Sequence, residues 1–236
     1  MKPITPETTL GDIVRANMTR ARVLDDLGID YCCSGNVPLA DACRAKGLDP
    51  ATVIAKLTAM DTAPGAGRVD PDGMTLSELC DHIETVHHRY LDAELPRLDA
   101  MTRKVAEVHG DRDPRLREVR RIFETLQASM RSHSKEEEDM VFPMIRRLES
   151  AGADRASVAA AFRESFAKLE AEHDRAGSAL AKFRQLTDNY TPPGWACDTY
   201  RATLEALDRL ERDTHLHVHK ENNVLFDRAR SLCGAR

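Results

Sequence analysis

The chemistry in this sequence is carried by histidine, present nine times, and by the carboxylates that stand at helical spacing from it. His133 and Glu137 form one i, i+4 pair and His217 and Glu221 another. On a helix that spacing puts an imidazole and a carboxylate on one face, a single turn apart, which is the spacing of a chelate. At 100° per residue, Val119, Ile122, Leu126, Met130 and Met144 make an apolar stripe that passes through His133 and Glu137. In the last helix Leu207, Leu210, Thr214 and Leu225 surround His217 and Glu221, while His215 and His219 point away. Phe162, Phe166, Leu169 and Leu180 place His173 in the middle of a third face. A buried carboxylate without a partner costs several kcal/mol or takes up a proton, and a cation compensates it directly. Two inward glutamates can bridge two cations, and imidazole with carboxylate suits iron or manganese better than a thiolate-preferring metal.

Plainer readings compete with this one. A single histidine on an apolar face, such as His173, is commonly a hydrogen-bonded core residue, and Glu137 could pair with a core arginine. Met140 and Met144 are read as core filler. A ferritin-like site would instead use Glu84 with His87 and Glu170 with His173, leaving His133 and His217 without a role. Among His82, His87 and His88, the stripe of Leu76, Ile83, Tyr90, Leu98 and Met101 is centred nearest His87. His109 stands 21 residues beyond His88, about 31 Å along a continuous helix, too far to share one cluster and better placed as a C-terminal residue favoured by the helix dipole.

The elements that position these residues are helical. Apolar spacing of the α type recurs almost everywhere and strand signals are nearly missing, so the fold class is all-α. Residues 1–61 read as a small helical domain punctuated by Gly28, Gly35, Pro38, Gly47 and Pro50, and the Gly- and Pro-rich 62–73 as a linker. Residues 74–236 hold four long helical patterns with short connections, an antiparallel four-helix bundle. The first opens at the capping box Thr75-Leu76-Ser77-Glu78 and stops at Gly110; the second, from Asp113-Pro114, carries Pro143 and a kink. The third spans about 157–186 and the fourth about 196–232.

Composition narrows the function. With 34 basic against 39 acidic residues, a net charge of -5 and no Lys/Arg run, no nucleic-acid partner is expected. No apolar stretch is long enough to span a bilayer and the N-terminus lacks a secretory apolar region, so the expectation is no membrane partner and a cytoplasmic location. Six scattered cysteines read as reduced thiols rather than a disulfide framework. Of these, Cys32 and Cys33 lie in a loop just before the helix that Pro38 begins, where backbone amides would favour thiolate.

Several motifs together carry a resemblance. Asp30-Tyr31-Cys32-Cys33-Ser34-Gly35-Asn36, Glu94-Leu95-Pro96, Val108-His109-Gly110, His133 with Glu137 before Val141-Phe142-Pro143, Glu172-His173-Asp174-xx-Gly177, and His217-xxx-Glu221-Asn222-Asn223-Val224-Leu225-Phe226 span nearly the whole chain. The sequence resembles the iron-sulfur cluster repair di-iron proteins, the repair-of-iron-centres or ScdA-like family, in which a hemerythrin-like bundle follows a double-cysteine domain. The resemblance implies iron ligands at His88, His133, His173 and His217, with Glu137 and Glu221 as bridging carboxylates. It chooses His88 where the stripe chooses His87, because the family usually has an aromatic residue at the position of His87. Ser34, where glycine is usual, and Asp227, where proline is common, depart from the pattern outside that ligand set.

The implied cofactor is two non-haem iron ions in an oxo- and carboxylate-bridged centre. The implied function is repair of iron-sulfur clusters damaged by nitrosative or oxidative stress, by iron donation or redox chemistry, with damaged iron-sulfur proteins as partners. NO or peroxide reduction at the same irons, or diatomic sensing of NO or O2, is the alternative, and a homodimer is the assembly left open. Cys32 and Cys33 are expected to act as a redox or metal-handling pair, against the plainer reading of small buried fillers.

Overall fold

The computed structural model describes residues 3–61, 70–150 and 155–233, with backbone alone for 155–164. Most of the expected linker, residues 62–69, the chain end 234–236 and the side chain of Phe162 lie outside the described residues. Among the described residues there is no strand, and one isolated bridge joins Thr9 to Pro38.

The first domain contains α1 (Leu10–Ala16), α2 (Ala21–Asp26), α3 (Leu39–Lys46) and α4 (Pro50–Ala59). Thr9 caps α1 through a hydrogen bond from Asp12 N, and Asp49 caps α4 ahead of Pro50, whose missing N–H is harmless in the first turn. Leu10, Ile13, Leu24, Tyr31, Leu39, Val53 and Leu57 form its core, which Val218 of the last bundle helix completes. Arg212 pairs with Asp26 and His215 with Asp25, so this domain sits on the outer face of the fourth long helix.

The four bundle helices are not uniform rods. The first is α5 (Leu76–Ile83), a π-helical turn Glu84–His88, and α6 (Arg89–His109). The second is α7 (Arg115–Glu136), a π turn Glu137–Val141, and α8 (Phe142–Ser150). The third is the unbroken α9 (Arg155–Leu186). The fourth is α10 (Asp198–Lys220), a π turn Glu221–Leu225, and α11 (Phe226–Leu232). α6 packs on α7, α7 on α9, α9 on α10, and α10 back on α6, which closes the bundle. The capping box at Thr75 and Glu78 is formed, and Glu149 of α8 adds a second cap by accepting from Leu76 N and Ser77 N at 2.7 and 3.0 Å. Pro143 opens α8, where its absent N–H leaves the backbone free to take the wider turn before it. Gly110 ends α6 with φ -65°, not the left-handed value; a Cβ there would lie 2.3 Å from Ala106 O, so close approach demands the glycine.

Each π turn admits one residue more than an α turn, and the apolar stripe slips accordingly. Beyond the first, the buried positions are Leu91, Leu95, Leu98, Thr102 and Val105 rather than Tyr90 and Met101. Beyond the second they are Val141, Phe142, Ile145 and Leu148. The reading of Met140 as core filler is therefore wrong: the slip turns it outward, and it is 56% exposed.

The bundle interior is divided. One apolar block, with Leu91, Leu98, Phe123, Leu126, Phe183, Leu207 and Leu210, fills one end. A second, with Leu79, Ile83, Phe142, Ile145, Phe166, Leu169 and Phe226, fills the other. On every long helix the break between the two blocks falls at a histidine or glutamate: 83 to 91, 130 to 141, 169 to 180 and 210 to 224.

Candidate metal centre

The gap between the two apolar blocks holds two groups of potential ligands, His88, Glu137, His217 and Glu221 in one and His133, Glu137, His173 and Glu221 in the other. The ligand atoms of each group lie within 4.8 Å of one another, and all six residues are buried. Both carboxylates belong to both groups. The arrangement is thus two adjacent positions, each faced by two imidazoles and by two carboxylates that it shares with its neighbour.

Imidazole orientation is set from outside the cluster. His88 Nδ1 donates to Glu138 Oε1 at 2.7 Å, His133 Nδ1 to Glu172 Oε2 at 2.8 Å and His173 Nδ1 to Asn222 Oδ1 at 2.8 Å. A proton held on Nδ1 leaves the Nε2 lone pair to point inward. The inward nitrogens pair closely, His88 with His217 at 3.2 Å and His133 with His173 at 3.0 Å between Nε2 atoms. His217 Nδ1 is buried without a hydrogen-bond partner, and the ring is held instead by stacking on His87, 5.1 Å between centroids and 2° between planes.

The chemistry of the donor set fits a cation pair. Glu137 and Glu221 are fully buried, and none of their four oxygens has a hydrogen-bond partner. Imidazole nitrogens do come within 2.7 to 3.4 Å of them. Those contacts have the separation of hydrogen bonds without their direction, as when lone pairs converge on a shared point. Burial opposes the charged form of His88, but Glu137 holds its pKa up at about 9, and Glu221 does the same for His173. Burial also opposes ionisation of Glu221, yet His217 and His173 keep it well below the usual carboxylate range. The cluster therefore demands positive charge, whichever cation supplies it.

His88 lies in the cluster and His87 does not. Both are buried, because the π turn Glu84–His88 brings two successive side chains inward. His87 Nδ1 donates to Asp213 Oδ1 at 2.9 Å, and His87 Nε2 accepts from Lys220 Nζ at 2.7 Å. Lys220 also donates to His82 Nε2 at 2.8 Å. Lys220 is 5% exposed, and burial lowers its pKa to about 8. The ferritin-like set is dispersed: Glu84 pairs with Arg146 and Glu170 with Arg230. His109 is at the far end, between Trp195 and Tyr200 and 3.1 Å from Cys197 Sγ. His215 and His219 face Tyr31 of the first domain.

Glu138, Glu172, Asn222 and Lys220 had no role in the sequence reading. Each stands beside an inward His or Glu in the chain, and Glu172 and Asn222 also fall within the motifs that carry the resemblance.

Cys32 and Cys33 lie outside the cluster, with 3.8 Å between their sulfurs, and with Asp30 they form a separate group of potential ligands. The expectation of a thiolate-favouring loop fails at Cys32. The amides of Cys32 and Cys33 both donate to Asp30 Oδ1 at 3.0 Å instead of to sulfur. The contact with Cys33, burial and the Asp30 charge push the Cys32 thiol well above its ordinary value.

The Hemerythrin HHE cation binding domain model matches residues 81–229, and ScdA_N, a domain of unknown function (DUF542), matches residues 6–61. The iron-sulfur cluster repair protein ScdA of Staphylococcus epidermidis is 30% identical over 224 residues, 94% of this chain and 98% of its own. The chain belongs to the ScdA/YtfE family of hemerythrin-domain proteins. Its relatives include the iron-sulfur cluster repair protein YtfE of Edwardsiella ictaluri, 33% identical over 220 residues, 93% of this chain and 95% of that one. The probable iron-sulfur cluster repair protein of Haemophilus influenzae is 32% identical over 209 residues, 88% and 89% of the two chains. Family membership agrees with a cation-binding bundle, and no described helix is long and apolar enough to cross a membrane.

Proposed function

We propose that this protein holds two non-haem irons at His88, His133, His173, His217, Glu137 and Glu221 and repairs iron-sulfur clusters damaged by nitrosative or oxidative stress. The observation that carries this reading is the sharing of both buried carboxylates by two imidazole-rich groups. Such a set supplies harder donors than a thiolate site and suits iron. Bound there, the iron pair supplies transferable iron, one-electron redox equivalents and coordination positions for small ligands. The protein's own part is to fix the imidazoles through Glu138, Glu172 and Asn222, to neutralise the cations with Glu137 and Glu221, and to exclude bulk water with the two apolar blocks. Damaged iron-sulfur proteins are the partners on this reading, in line with the names of the relatives, and the cytoplasm is where it would act. Cys32 and Cys33, grouped with Asp30, act as a redox or metal-handling pair in it; a double Cys→Ala variant that still repairs clusters would remove them from the scheme.

The decisive test is metal analysis of protein from iron-replete cells. About two irons per chain and an iron-dependent near-ultraviolet absorption are expected, both lost in Glu137→Leu or Glu221→Leu. Stoichiometric zinc without iron would overturn the assignment.

One observation favours a second reading. A cavity of about 20 Å³ lined by His133, His173 and His217 also takes in Ser134 and Thr214, whose buried hydroxyls lack partners. It has room for a water or a diatomic molecule. Steady-state consumption of NO by the reduced protein would favour reductase activity over iron donation, and reversible binding without turnover would favour a sensor.

A further inference from the structure

The metal cluster and the double-cysteine loop meet in two adjacent side chains, Asn222 and Asn223, both in the π turn that begins with Glu221. Asn222 uses both ends of its amide. Its Oδ1 accepts from His173 Nδ1 at 2.8 Å, and its Nδ2 donates to Cys32 O at 3.4 Å. Because His173 turns Nε2 to the cluster, its ring proton belongs on Nδ1, and that fixes the Asn222 oxygen toward His173 and the NH2 toward the loop. Asn223 Nδ2 donates to Cys32 O at 2.9 Å and to Tyr31 O at 3.4 Å. Its own carbonyl accepts from Arg15 Nη1 at 3.1 Å.

Two glycines make the seat for Asn223. A Cβ on Gly35 would lie 1.9 Å from Asn223 Oδ1, and one on Gly11 would lie 2.9 Å from the same atom. Gly11 N also donates to Gly35 O at 2.8 Å, which ties α1 to the loop. Ligand, π turn and thiol loop are therefore one connected hydrogen-bonded unit.

We propose that Asn222 and Asn223 are positioning residues that couple metal loading at the His/Glu cluster to docking of the Cys32–Cys33 loop. This rests on the metal-pair reading above. Metal at Glu221 and His173 holds the π turn, and the turn holds the loop. By reciprocity, a docked loop must in turn favour metal retention by the same factor.

The experiment uses the full-length protein loaded with ferrous iron, compared with the same protein after chelation, and reads iodoacetamide labelling at each cysteine by mass spectrometry. Cys43, fully buried in the same domain, reports whether that domain stays folded. The expected result is at least about fivefold faster labelling of Cys32 and Cys33 after iron removal, at the lower end of usual coupling factors, with Cys43 unchanged. In the double variant Asn222→Ala/Asn223→Ala the two states should label alike, and Gly35→Ala should lose iron to a chelator at least about fivefold faster than wild type. Iron uptake with metal-independent labelling in the wild type would overturn the coupling alone. Failure to take up iron at all would overturn both the coupling and the metal-pair reading. If Gly35→Ala unfolds the domain, seen as labelling of Cys43, the asparagine variant decides.

Discussion

At the scale of single residues, adjacent histidines have been given different work by one extra residue in a turn. His88 presents its imidazole to the cluster, while His87 lies flat against His217 and is tied to Asp213 and Lys220. His87→Phe should keep the stacking surface and leave metal content unchanged, whereas His88→Ala should lower it; metal quantification on both variants checks this. Asp30 offers a pH test. Partial desolvation by the loop around it opposes its charge, but the Cys33 amide, the Cys32 thiol and amide and the Ser34 hydroxyl hold its pKa below the usual carboxylate value. A depressed folded pKa contributes stability that is complete above the unfolded value near 4 and is lost as pH falls through the folded one. Asp30→Asn should thus be less stable than wild type by about 1 kcal/mol at pH 6, modest because the side chain stays open to solvent. The gap should close as unfolding is measured toward pH 3.

At the scale of elements, the three π turns explain both what the sequence disclosed and what it hid. A stripe drawn at 100° per residue is correct within α5, α7, α9 and α10, so the helices and their inward His133, Glu137, His173 and His217 were legible. It fails where a turn holds an extra residue. That slip selected His87 over His88, Tyr90 over Leu91 and Met140 over Val141. Nothing in local composition signals a π turn, because it is stabilised by what its side chains reach across the bundle. The motif resemblance carried His88 because it depends on chain position instead of phase. The same turn yields a prediction. Deleting Asp139, at the exposed crest of Glu137–Val141, restores an α register in which Glu137 and Val141, Ile145 and Leu148 form an unbroken stripe. The variant should keep its helix content by circular dichroism yet retain metal at least about tenfold more weakly, a difference of about 1.4 kcal/mol, because Glu137 no longer meets its partners.

At the scale of the whole molecule, the cluster is a load on the fold that a cation relieves. Two buried carboxylates and four imidazoles stand where a bundle would otherwise be apolar. A ligand that binds only the folded state at about 100 times its Kd adds about 2.7 kcal/mol, or roughly 5–11 °C in melting temperature for a domain of this size. Chelation should lower the Tm by that amount, and readdition of ferrous iron should restore it. The domain division was legible from Gly- and Pro-rich punctuation, but the contact of the Cys32 loop with Asn223 was not, since it joins positions 191 residues apart. The two apolar blocks that bracket the cluster have a kinetic meaning as well. With both ends of the bundle plugged, an ion cannot travel along the axis, and its exit must be sideways through a parting of neighbouring helices. Residence time is then set by how often the bundle breathes, so a bound cation would leave in discrete openings rather than in continuous equilibrium with the surroundings.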